Sequence, residues 1–193
     1  MRRFIDTNDF RKVMGRVVES LRGRKWCMIG GRAVEVWVNP PQTPDIDILI
    51  DISPRHVKAV EVAMRKNHFS LTRSFYDRGM APMWFFRDAV TGTEVDVIGA
   101  YEDVHRWAIE RATTYTIKKG ASFRVATAED VVVLKANAAC MPGRGAKVEH
   151  DIEAIENIAR DNELDKDYIE TVLGMASADW TDEARLLRKL GII

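Results

Sequence analysis

The chain has only two cysteines, six prolines and four histidines in 193 residues, and no excess of either charge. Cys27 and Cys140 lie far apart, which excludes a disulfide-built scaffold and a cysteine-rich zinc module. Both read as reduced residues of apolar segments, and the expected compartment is the cytoplasm. His56, His68, His105 and His150 are scattered with no ligand spacing. The longest apolar runs fall far short of a membrane span, so no membrane association is expected. Met1-Arg2-Arg3 is not followed by the apolar stretch of a signal peptide. There is no low-complexity tract and no internal repeat.

What is present fits a soluble globular protein, with 46% hydrophobic and 30% charged residues. The neutral total hides a split. Residues 1–25 hold eight Arg or Lys against three acids, a local +5. Residues 148–183 hold twelve acids against two bases, a local −10. Such polarity steers a polyanion to one end and a basic partner to the other, or simply solvates helix surfaces.

Residues 8–23 read as an amphipathic helix carrying Phe10, Val13, Met14, Val17, Val18 and Leu21 on one side. A buried strand, Trp26 to Ile29, meets the Gly30-Gly31 turn, and Arg32 to Val38 read as a short helix broken by Asn39-Pro40-Pro41. Residues 45–51 form the second strand, joined to the first by a βαβ crossover. Ser53 caps a helix with Pro54 at its first position, running to about Asn67. Strands are expected at 69–75, 82–88 and 93–98, with Thr91-Gly92 as a hairpin turn. A helix at 101–111 and extended chain at 113–126 follow. Thr127 and Asp130 have the form of a capping box opening the helix 128–140. Further helices are expected at 147–160, 164–175 and 181–190. The result is an α/β (α+β) core to residue 126, with a mixed sheet flanked by helices, and a C-terminal helical region, 127–193, packed on it.

The chemistry sits at two strand pairs of acids. Thirteen residues after Gly30-Gly31 comes Asp45-Ile46-Asp47-Ile48. Strand residues i and i+2 share a face, so Asp45 and Asp47 point together while Ile46, Ile48 and Ile50 point away. Thr93-Glu94-Val95-Asp96-Val97-Ile98 repeats the pattern. If the two strands are neighbours, three or four carboxylates converge, which is costly without a cation between them. Hard oxygen donors suit Mg²⁺ or Mn²⁺. The spacing is not that of a calcium loop, since Ile50 holds the position of its glycine. Gly30-Gly31 is either a plain tight turn or a place where backbone amides approach phosphate oxygens. It is neither a dinucleotide fingerprint nor a P-loop. Glu94 reads as exposed near the turn, and Asp51 as a solvated strand end. Trp37 and Trp84-Phe85-Phe86 read as core rather than as a stacking platform.

The pattern hydrophobic-Gly-Gly, spacer, Asp-hydrophobic-Asp-hydrophobic resembles the signature of the DNA polymerase β-like nucleotidyltransferase superfamily. Asp96 sits where that superfamily places its third metal-binding acid. Ala126 to Lys135 resembles a helix of the AbiEii/MenT-like, toxin-type branch, whose Lys is followed by Arg-x-Lys-Asp-x-x-Asp; Arg144, Lys147 and Asp151 match it loosely. The resemblance covers residues 24–155. The chain departs from it where Pro41 replaces an Arg before Thr43, with Arg32 as a substitute phosphate-facing charge, and where Val148 replaces an Asp.

The resemblance implies transfer of a nucleoside monophosphate from an NTP to an acceptor hydroxyl, with release of pyrophosphate. Asp45, Asp47 and Asp96 would be the catalytic, metal-binding acids. Gly30, Gly31, Arg32, Thr43, Lys135, Arg144 and Lys147 would contact the nucleotide. The toxin-type branch implies as acceptor an RNA end such as tRNA, a protein side chain or a small molecule, and as partner an antitoxin protein. The basic first helix leans towards RNA. Two other readings are a catalytically silent nucleotide-binding or regulatory module, with helices 128–160 reading DNA or a protein in helix-turn-helix fashion, and an acid-rich phosphohydrolase on an unrelated fold. The acid run after Lys147 opposes DNA binding, and the extra ligands of the hydrolase are missing.

Overall fold

A computed structural model describes residues 7–38, 43–76, 81–116, 122–176 and 180–193. Pro41, Gln42 and the Asn39-Pro40-Pro41 break lie outside the described residues. The element order is α1 (Asn8–Ser20), β1 (Trp26–Ile29), α2 (Gly30–Trp37), β2 (Ile46–Ile50), a 3-10 turn (Pro54–His56), α3 (Val57–Lys66), β3 (Phe69–Phe75), β4 (Met83–Asp88), β5 (Glu94–Gly99), α4 (Asp103–Arg111), β6 (Thr113–Thr116), β7 (Ser122–Val125), α5 (Ala128–Cys140), α6 (Lys147–Asp161), α7 (Lys166–Met175) and α8 (Thr181–Lys189). The seven strands form one mixed sheet in the order β3-β4-β5-β2-β1-β7-β6. No described helix is long and apolar enough to cross a membrane.

Local chemistry starts the helices. Thr7 accepts the Phe10 amide to open α1, and Thr127 accepts the Asp130 amide to open α5. The Asp130 carboxylate does not close a capping box in the usual way. It accepts from the Thr127 hydroxyl (2.7 Å) and the Tyr168 hydroxyl (2.6 Å), which ties α5 to α7. Ser53 does not cap with its side chain. Its hydroxyl bonds His56 Nδ1 at 2.9 Å, and the first turn is 3-10.

β4 and β5 form the hairpin that Thr91-Gly92 announces, with Gly92 at φ 76°. Asp88 holds it closed by accepting from Thr91 and Arg16, the guanidinium reaching across from α1 at 2.7 and 2.9 Å.

The expected βαβ crossover is not what forms. β1 and β2 are antiparallel, with Ile29 opposite Asp47 and Trp26 opposite Ile50. The reason is length and return path. α2 has only eight residues and leaves from the end of β1. The chain then returns to that same end, so β2 starts where β1 stopped. The parallel pairs are β2 with β5 and β1 with β7.

This arrangement puts β2 in the middle of the sheet. Ile46, Ile48, Leu49 and Ile50 are all buried, so both faces are covered at the C-terminal end of the strand. α2 packs on β1 and β2 and carries α5 and α6 in turn, while α4 packs on β1 and β2. The core runs without a break from Phe10 of α1 to Leu187 of α8 and Ile192 beyond it. Cys27 is fully buried and Cys140 half-buried, and both are free thiols.

Candidate active site

Three carboxylates meet at the end of the sheet where β2 begins. In the parallel pair β2–β5, Asp47 stands level with Asp96. Residues level with each other on adjacent strands share a face, and Asp45 is two residues before Asp47 on that face. Burial is the first cause that raises the Asp47 carboxyl; Asp45 pushes it further up, while Lys135, Arg144 and the Gly31 amide oppose this. Asp96 is raised to about 7, by burial first, then by Asp47, Asp45 and Glu94. Glu94 itself is exposed and paired with Arg87 at 2.7 Å.

The two glycines shape this seat. Gly30 has φ 67°, and a Cβ there would lie 1.9 Å from Asp47 Oδ2. A Cβ on Gly31 would lie 2.3 Å from Thr43 Cγ2. The Gly31 amide also donates to the Asp47 carboxylate. In this structure, then, the diglycine lets the acid strand and the Thr43 loop lie directly on the start of α2.

Thr43 is held from below by Glu35, a buried residue of α2 that the sequence reading passed over. Its Oε1 accepts the Thr43 amide at 3.1 Å, and Thr43 Oγ1 donates to the Asp45 carbonyl at 3.3 Å. The other Glu35 oxygen takes Arg32. This corrects the expectation for Arg32. It is not a phosphate-facing charge but a buried one, 2.9 Å from Glu35 Oε2 with its guanidinium 5.1 Å above the Phe10 ring. Position 32 is three residues before Glu35 on α2, so the two side chains share a helix face turned inward.

Across from the acids stands a basic group. Asp151 of α6, almost fully buried, accepts from Lys135 of α5 at 2.6 Å and from Arg144 at 2.8 Å. Burial opposes its charged form, but the hydrogen bonds from Arg144 and Lys135 win and hold its carboxyl below the usual range. Both cations are close enough to act on Asp47. Lys135, Arg144 and Asp151, spread over 17 positions, thus become one cluster. Lys147 is exposed at the first position of α6.

The expectation that Trp84-Phe85-Phe86 is all core also needs correcting. Trp84 and Phe86 are buried, but strand alternation turns Phe85 to the acid face, level with Asp96. α5 is buried along Val131, Val132, Val133 and Ala136, and α6 exposes Glu149, Glu153 and Glu156. Neither helix offers the basic, open face that DNA reading needs.

Among the described residues, no three Asp, Glu, His or Cys side chains are already gathered at metal-ligand spacing. The donor chemistry nevertheless fits a hard divalent cation. Asp45, Asp47 and Asp96 offer oxygen only, repel one another, and have no base hydrogen-bonded between them.

The fold is that of the nucleotidyltransferases. The chain is similar to an antigenic nucleotidyltransferase-like protein from Paracoccidioides brasiliensis, with TM-score 0.53 and 18% identity over 94% of this chain and 87% of that one. It is also similar to the antibiotic-resistance factor ANT(2'')-Ia. In complex with adenylyl-2''-tobramycin that protein matches at TM-score 0.56 and 13% identity over 95% of this chain and 99% of the other. Its solution structure matches at TM-score 0.54 and 14% identity over 87% and 90%. No family model and no curated protein matches the sequence. Likeness at such identities speaks for the fold alone.

Proposed function

We propose that the chain moves a nucleoside monophosphate from an NTP to an acceptor hydroxyl and releases pyrophosphate. The observation that carries this is the level pairing of Asp47 with Asp96 on parallel strands, with Asp45 beside them and the Lys135–Arg144 cluster opposite. Asp45, Asp47 and Asp96 would hold Mg²⁺ or Mn²⁺, an ion that would supply charge neutralisation at the triphosphate and would acidify the acceptor hydroxyl.

The protein's own part is positioning and proton handling. Lys135 and Arg144, fixed by Asp151, face the negative charge that builds on the departing pyrophosphate. The Gly30-Gly31 turn, Thr43 and the exposed Lys147 complete the nucleotide contacts. Asp96, half-buried and level with Asp47, is placed to take the proton of the acceptor hydroxyl. The acceptor O–H breaks towards Asp96, the oxygen bonds the α-phosphorus, and the bond to the bridging oxygen breaks.

The joint presence of Lys135, Arg144 and Asp151 supports the toxin-type AbiEii/MenT-like branch, with an antitoxin protein as partner. The two free thiols agree with a reducing cytoplasm. The test is incubation with α-labelled NTPs, Mg²⁺ and candidate acceptors (total RNA, proteins, small polyols and aminoglycosides). Label should pass to one acceptor class with the native chain and to none with Asp47→Ala. Tight NTP binding without transfer to any acceptor would leave the silent-module reading.

A further inference from the structure

The three carboxylates are not held in the same way. Asp47 and Asp96 are paired with each other across β2 and β5, and Asp47 faces Ile29 of β1 on its other side. The sheet sets their backbone positions. Asp45 stands one residue before β2 begins and has no partner in either strand register. Thr43 Oγ1 donates to the Asp45 carbonyl at 3.3 Å, and the Thr43 amide donates to Glu35 Oε1 at 3.1 Å. The third acid therefore hangs on a side-chain clip that starts on α2.

Stability alone does not account for a charged pair at the base of that clip. Glu35 is 2% exposed and Arg32 7%. Two charges taken out of water lose more hydration than their attraction returns unless nearly every lone pair and proton is used. Both Glu35 oxygens are used, one by Arg32 Nη1 at 2.9 Å and one by the Thr43 amide. Arg32 Nε is not: it is buried with no hydrogen-bond partner. An apolar pair would fill the same space at lower cost, but it could not accept an amide hydrogen.

We propose that Glu35 is a positioning residue for Asp45. By accepting the Thr43 amide it fixes the Asp45 carboxylate beside Asp47, and Arg32 neutralises that buried acceptor. This rests on the metal-holding role of Asp45 in the reading above. Glu35 acts through Thr43 and is not itself a ligand. Groups that orient a metal's ligands govern its affinity, and changing one typically weakens binding by about 10–100-fold.

Two double variants separate positioning from packing. Arg32→Met with Glu35→Leu makes the place apolar and removes the acceptor. Arg32→Met with Glu35→Gln is also uncharged but keeps a carbonyl oxygen for the Thr43 amide. Mn²⁺ alone, without nucleotide, is titrated into each full-length chain, and the free ion is read by electron paramagnetic resonance. The leucine variant should bind Mn²⁺ about 10–100-fold more weakly than the native chain. The glutamine variant should bind near native. Melts in chelator should show the leucine variant at or above the native melting temperature, so that its loss of affinity is not a loss of fold. Hydrogen exchange over residues 43–47 should quicken in the leucine variant and stay native in the glutamine variant.

Equal Mn²⁺ affinity in the native chain and the leucine variant would overturn the positioning role and leave the metal site standing. Equal weakening in both double variants, or weakening with unchanged exchange over 43–47, would overturn it too, because the effect would not pass through the amide acceptor. A leucine variant that melts well below the native chain would make the pair structural. A native chain that binds no Mn²⁺ would sink the metal reading, and the role of Glu35 with it.

Discussion

Asp96 and Asp151 are both withdrawn from water, yet their carboxyls shift in opposite directions. Asp151 is the more deeply buried, and Lys135 and Arg144 hold it ionised. Asp96 is only half-buried; burial raises it first, Asp47, Asp45 and Glu94 add to that, and it reaches about 7. Burial pushes both carboxyls up; the sign of the neighbours decides whether that push is reinforced or outweighed. The Asp151 cluster is electrostatically complete, and so is the Asp88–Arg16 anchor. The acid patch is incomplete, and an incomplete site is where a cation and a triphosphate would find work to do.

The largest test of that contrast is Asp47→Ala. Transfer should fall by roughly three orders of magnitude. The metal-free protein should keep its melting temperature or gain slightly, because a like charge has been removed. Marked destabilisation instead would mean that the acids are structural.

Asp151→Asn should do the reverse. It leaves two cations with a weakened partner and should cost about 2–3 kcal/mol in denaturant unfolding, with a raised KM for NTP. Gly30→Ala comes next. Its Cβ would need the space of Asp47 Oδ2, and φ 67° strains any side chain, so about 1–2 kcal/mol and most of the activity should be lost.

The smallest effect is on pH. Between about pH 4 and pH 7, folded Asp96 keeps a proton that the unfolded chain has released. Its contribution to stability is therefore present in acid and lost as pH rises to about 7. Asp151 runs the other way, with its contribution lost as pH falls below its ordinary value of 3.8. Melts in chelator should show the neutral-side decline, and Mg²⁺ should abolish it.

Features that depend on a few adjacent residues were legible in the sequence. Thr127 caps the helix it precedes, Thr91-Gly92 turns the hairpin, and strand alternation puts Asp45 with Asp47. Features that depend on which strands become neighbours were not. A helix between two strands reads as a parallel crossover, but β1 and β2 came out antiparallel because the connection returns to its starting end. Arg32 read as a phosphate-facing charge because its partners, Glu35 and Phe10, matter only once α2 is packed. The spacing of Arg32 and Glu35 was the available signal. For Phe85 the signal was strand parity, since it alternates with Trp84 and Phe86.

The most direct measurement is a calorimetric titration of Mn²⁺ into the chain with a non-hydrolysable NTP analogue, near pH 7, for the native protein and Asp96→Asn. The native protein should bind the ion and release protons as Asp96 ionises, and the variant should bind more weakly and release fewer. Equal Mn²⁺ affinity and equal proton release in the two proteins would contradict an acid patch that is completed by a cation.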